Sequence, residues 1–158
     1  MRILALNHTP TSEYDAAGEK RIVDLLQSYA SAGTTVEFGC PEDLGGSVVL
    51  HHIRKGKALA GLHHILETPA LVKKVIEAEH EGFDAVMQTN TFDPGVEACR
   101  LAVRIPVVGV MRASLHFAAS LCDRFAITVP LESYAPYVAR TLETYRMAHF
   151  VTTIRAIE

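Results

Sequence analysis

Thr89, Asn90 and Thr91 stand together directly after the apolar run Phe83 to Met87, and an Asp93-Pro94-Gly95 turn follows them. Amide and hydroxyl side chains gathered at the end of a buried strand can hold a carboxylate or steady a developing oxyanion, because they supply donors and acceptors in fixed places. In open parallel sheets ligands settle in the crevice beyond the carboxyl ends of the strands, where backbone amides and helix N-termini converge. The same reasoning marks Asn7, Thr9 and Thr11 after the run Arg2 to Leu6, and Ser114 and Thr128 near later strands. Each has a plainer alternative. Asn7, Thr9 and Thr11 can cap the helix near Gly18 or make a local turn, and Thr89 to Thr91 can cap a helix from Pro94, although Asp93 is better placed for that. Arg112 offers a bidentate clamp for a carboxylate, or a pairing with a nearby Asp or Glu.

Thiols and imidazoles are weaker candidates. Cys40, Cys99 and Cys122 are three in number and far apart, which suits free thiols in a reducing compartment, and we expect Cys99 and Cys122 to be buried in helices. Among eight histidines the neighbours His51-His52 and His63-His64 diverge in any regular element, so each pair offers at most one convenient metal ligand. No HExxH or CxxC pattern completes such a site, no metal is expected, and His116 is given no role.

The elements that must position these residues alternate. Arg2 to Leu6, Thr34 to Phe38, Phe83 to Met87, Ile105 to Val110, Phe125 to Val129 and Phe150 to Ile157 read as strands. Between them, helical spacing covers Gly18 to Ala32, Pro69 to His80, Pro94 to Val103, Arg112 to Cys122 and Ser133 to Met147, with Pro69 in a first turn. Gly39 to Thr68, broken by Gly45-Gly46, Gly56 and Gly61, reads as a long connection with short helices. This succession predicts an α/β fold, a parallel sheet with helices on both faces.

At 158 residues, 49% hydrophobic and 21% charged, the chain can bury a sizeable core. A net charge of −3 without a basic stripe predicts no nucleic-acid partner, and no apolar run has the length of a membrane span, so a cytoplasmic protein is expected. The apolar strand that ends at Glu158 carries no covering helix, which predicts a covering partner, as in a homo-oligomer, or further chain.

Taken together, Ala5-Leu6-Asn7 with its Thr/Ser-rich loop, Gly82 to Val86 leading to Asp93-Pro94-Gly95, Ile105-Pro106-Val107-Val108-Gly109, Ala113 to Ala119 and Arg124 to Ile127 carry a resemblance. The chain resembles the aspartate/glutamate/hydantoin racemase superfamily, especially its hydantoin and allantoin racemase branch. The resemblance implies two pseudo-symmetric flavodoxin-like lobes, here residues 1–103 and a partial second lobe at 104–158. It also implies a cofactor-independent isomerase that moves a proton at the α-carbon of a small amino acid, hydantoin or related anionic carboxylate. Such enzymes use one cysteine from each lobe. Matching the motifs sets the first at Asn90 by hydantoin-type spacing or at Thr89 by glutamate-type spacing, and the second beyond Glu158. Arg112 stands where hydantoin-type relatives carry an acid. Two further readings follow from the missing thiol: a one-thiol decarboxylase or isomerase, whose Thr/Ser-rich carboxylate pocket Thr89 and Thr91 resemble, and a non-catalytic carboxylate-binding paralogue.

Overall fold

Four of the apolar runs pair side by side in a computed structural model that describes residues 1–8, 15–42 and 60–157. β1 (Arg2–Leu6) lies between β2 (Thr35–Gly39) and β3 (Ala85–Gln88), and β4 (Val107–Val108) adds to β3, all parallel, in the order β2-β1-β3-β4. This is the order of a flavodoxin-like sheet. The strand at 107–108 therefore pairs in the first sheet, although it lies beyond residue 103. β5 (Phe125–Val129) and β6 (Val151–Ala156) form a separate parallel pair.

Helices make the crossovers: α1 (Ala16–Tyr29), α2 (Ala60–His80), α3 (Val96–Ala102), α4 (Val110–Leu121) and α5 (Ala135–Thr144). Asp15 starts α1 by accepting from the Gly18 amide at 2.6 Å. The inward face of α1 differs from the one expected from Ile22, Leu25, Leu26 and Tyr29. Leu25 and Tyr29 are exposed, while Ile22, Val23, Leu26 and Gln27 are half-buried. Gln27 explains the rotation. It donates to the Thr34 carbonyl and accepts from the Val36 amide, tying that face to the edge of β2.

The second difference lies in α2, which runs through Pro69 instead of starting there. Proline removes one helical bond, and the carbonyl it leaves is that of Ile65, a residue on the exposed side of the helix. On the other side Leu71, Val75 and Ala78 are buried against Leu4, Leu6, Phe83 and Val86, and this packing outweighs the lost bond. Leu71→Ala, at 0% exposure, is expected to lower unfolding stability by about 3 kcal/mol, measured by urea titration; a loss below about 1 kcal/mol would show that this core collapses around the gap.

A second core gathers Met111, Leu115, Val129, Val138, Leu142, Tyr145 and Met147 between α4, α5 and the β5–β6 pair. The face expected for Ser133 to Met147, namely Tyr134, Tyr137, Val138, Thr141, Leu142 and Tyr145, turns inward, with Val138, Leu142 and Tyr145 buried and the others half-buried. Among the described residues no helix is long and apolar enough to cross a membrane.

Candidate functional site

The polar turn after β3 is built by its own side chains. Asn90 Oδ1 accepts from the Phe92 amide at 2.8 Å, an Asx turn that directs the chain into Asp93, which takes a left-handed φ of 51°. Gly95, also left-handed at φ 65°, caps α3 with no side-chain bond. Asp93 was expected to cap that helix, yet its carboxylate turns to α4 instead. Oδ1 accepts from the Met111 amide and Oδ2 from the Arg112 amide, both at 2.8 Å, and Oδ2 also accepts from the Tyr145 hydroxyl at 3.0 Å.

This capture has consequences for the neighbouring elements. It starts α4 at Val110, two residues before the expected Arg112, and leaves β4 only Val107–Val108. Gly109 is required at the junction, since a methyl built there would collide with the Asp93 carboxylate. Burial pushes the Asp93 carboxyl above its usual range, and the three donors pull it back. Burial and the Asp93 charge push the Tyr145 hydroxyl up, so it remains a donor.

At the carboxyl ends of β1 and β3 lies a second cluster. Leu6 pairs with Gln88 in register, so His8 and Asn90 each stand two residues past the last paired position of adjacent strands. Glu67 of α2, only 1% exposed, reaches this edge and joins two imidazoles: Oε2 is 2.9 Å from His8 Nδ1 and Oε1 is 2.7 Å from His64 Nδ1. Burial alone would push the Glu67 carboxyl up, but the hydrogen bonds from His64 and His8 overcome it and bring it down to about 2. The carboxylate is therefore ionised and can only accept, so both Nδ1 atoms carry the proton. His64 packs its ring 5.0 Å from Tyr137 and 5.6 Å from Phe92, and the Tyr137 hydroxyl donates to the Phe92 carbonyl at 3.3 Å. Sequence reading passed over this cluster because it weighed His64 only with His63. The signal was the spacing of His64 and Glu67, three apart on one helix.

The residues singled out from sequence fall into separate places. Thr89 is anchored to β1, its amide 2.9 Å and its hydroxyl 3.3 Å from the Leu6 carbonyl. The Asn7 amide donates to the Gly39 carbonyl at 2.9 Å, at the same edge. Thr91, Ser114 and Thr128 line a different space, an apolar groove of about 450 Å³ over Met111, Leu115 and Ile127. Phe92 borders both regions, lining the groove and touching His64. The Arg112 guanidinium pairs with Glu97 at 3.0 Å and lies 5.2 Å above the Tyr145 ring. Thr9, Thr11, His51 and His52 lie outside the described residues.

Cys40 directly follows β2 at the edge where Asn7 stands, and Cys99 lies in the first core. Cys40 and Cys99 are buried, and burial pushes their thiols up to about 11 and about 12, so both stay protonated near neutrality. Cys122, expected to be buried, is exposed, because α4 ends at Leu121 and the thiol turns back to the Ala118 carbonyl at 3.4 Å. Among the described residues no group of three His, Cys, Asp or Glu side chains is placed to hold a metal ion.

Residues 20–158 match the family described as Asp/Glu/Hydantoin racemase. The chain belongs to that family. A hydantoin racemase of Pseudomonas sp. (strain NS671) is 30% identical over 90 residues, 57% of this chain and 36% of the relative. Another, from Rhizobium meliloti, is 24% identical over 98 residues, 62% of this chain and 41% of the relative. Allantoin racemase from Klebsiella pneumoniae superposes with a TM-score of 0.79 at 20% identity, covering 99% of this chain and 58% of that one. Allantoin racemase from Pseudomonas fluorescens gives 0.75 at 22% identity, covering 99% and 60%. The fold of these two structures thus matches 99% of this chain, while the chain spans less than two thirds of the length of each of the four proteins.

Proposed function

We propose that this chain carries out cofactor-independent proton chemistry at the α-carbon of a small cyclic amide or carboxylate, as a member of the racemase family whose curated relatives are hydantoin racemases. The observation that carries this reading is the cluster at the carboxyl ends of β1 and β3. Asn7, Thr89 and Asn90 stand there beside an ionised, buried Glu67 and two imidazoles, at the edge where a flavodoxin-like sheet presents its ligand crevice. Amide and hydroxyl groups suit the carbonyl or carboxylate of such a substrate, and an α-proton beside a carbonyl is acidic enough for a positioned base. In this reading the four-stranded sheet β1–β4 belongs to one lobe and the β5–β6 pair to part of a second, and Asn90 or Thr89 occupies the place of the first-lobe thiol. The protein acts in the cytoplasm as a homo-oligomer.

A second reading is favoured by the thiols. Cys40 and Cys99 are buried and protonated, and Cys122 lies at the far end of α4. A chain that binds the carboxylate without turning it over fits the same facts. Incubation in D2O with allantoin, hydantoins, aspartate, glutamate and substituted malonates, followed by NMR, separates the two. Deuterium entering the α-position faster than the uncatalysed background is the expected result. Loss of a malonate carboxylate would assign the decarboxylase chemistry instead, and shifts on ligand binding without exchange would leave a binding protein.

A further inference from the structure

Burying a carboxylate as deeply as Glu67 is costly unless its charge is held, and among the described residues two imidazoles, one following β1 and one on α2, hold it, one on each oxygen. What the arrangement adds is a defined tautomer, because a ring whose Nδ1–H is bound to a carboxylate presents Nε2 as its basic atom. The two rings differ in access. His64 is 6% exposed and packed between Phe92 and Tyr137, whereas His8 is 24% exposed and stands at the strand end.

We infer that His8 is the proton-accepting group of this site, with Glu67 as its positioning carboxylate and His64 holding the opposite oxygen of Glu67. The inference rests on the α-carbon reading above and supplies the base that Asn90, an amide, cannot be. In the step, the C–H bond breaks and an Nε2–H bond forms on His8. The electron pair moves into the adjacent carbonyl as an enolate, and the imidazolium keeps its Nδ1–H on Glu67. Return of a proton to the α-carbon from His8 or from water completes exchange or inversion, with nothing oxidised or reduced. Because the charge that forms on His8 faces an existing carboxylate, Glu67 favours the proton transfer as well as orienting the ring. Among the described residues, the titratable groups around this pair include His64 and Glu67 on α2, Tyr137 on α5, and Asp93, whose charge acts on Tyr137.

The test follows α-proton exchange of allantoin and benzylhydantoin in D2O across pH for wild type, His8→Gln and Glu67→Gln. The glutamine at 8 retains a donor for Glu67 but has no basic nitrogen. His8→Gln is expected to exchange about 100-fold more slowly while ligand-induced NMR shifts persist. Glu67→Gln is expected to lower kcat for exchange about 10-fold with KM unchanged and ligand-induced shifts retained, a split that a merely structural residue would not give. Exchange by His8→Gln at the wild-type rate overturns the assignment and leaves the α-carbon reading standing. No exchange by wild type above background overturns both. If His8→Gln does not fold, histidine nitrogen NMR of the wild type decides: an unprotonated Nε2 on the neutral His8 ring supports the assignment, and an Nε2–H tautomer overturns it.

Discussion

Asp93→Ala is expected to lower unfolding stability by about 3 to 5 kcal/mol, the range typical of breaking a buried, hydrogen-bonded charge. The carboxylate is 6% exposed and accepts from two backbone amides at the start of α4 and from the Tyr145 hydroxyl. Alanine would leave three donors without their acceptor and a void in a tight turn. Alanine also relieves the desolvation of the buried charge that raises the carboxyl, so the net loss is that of the unpartnered donors and the void less this relief. Asp93→Asn keeps the shape and one acceptor oxygen, and should lose about half as much. Urea unfolding followed by circular dichroism reads both variants. A loss below about 1 kcal/mol for alanine would mean that water enters the turn and replaces the carboxylate.

The second large effect is on acid stability. Glu67 has its carboxyl held down to about 2 in the folded state by His64 and His8 against the push of burial. A depressed folded value contributes stability above the ordinary carboxylate range, and that stability is lost as pH falls through that range toward 2. The span corresponds to about 3 kcal/mol from this one group. Glu67→Gln should therefore be less stable than wild type near neutrality and show a shallower fall in acid. Thermal melts from neutral to acid pH test this, and parallel curves for the two proteins would show that Glu67 is not the group responsible.

The alternation of elements was legible in the sequence because each strand is a short apolar run closed by polar or glycine residues. Phe125 to Val129 needed no adjustment. Boundaries moved where a distant side chain intervened. Nothing between Ile105 and Arg112 reveals that Asp93 will seize the amides of residues 111 and 112 and draw the helix forward over what reads as strand. Pro69 misled for the opposite reason. A local breaker was overruled by the packing of Leu71 and Val75, and with the first half of α2 read as part of a long connection with short helices, His64 and Glu67 were not placed together on one face. The link from His8 to Glu67 spans 59 positions and forms only when β1 and α2 are brought together, so no local pattern contains it. Of the other candidates, composition marked Thr91, Ser114 and Thr128 as polar residues near strand ends, but not that they would share an apolar groove apart from Asn90.

The close seating of the Asp93 carboxylate against Gly109 ties two separate positions into one unit of inheritance. A lineage that gains any side chain at 109 must give up the carboxylate at 93, and with it the early start of α4. Substitutions at the two positions should therefore be found together in descendants of this chain and purged when they arise singly.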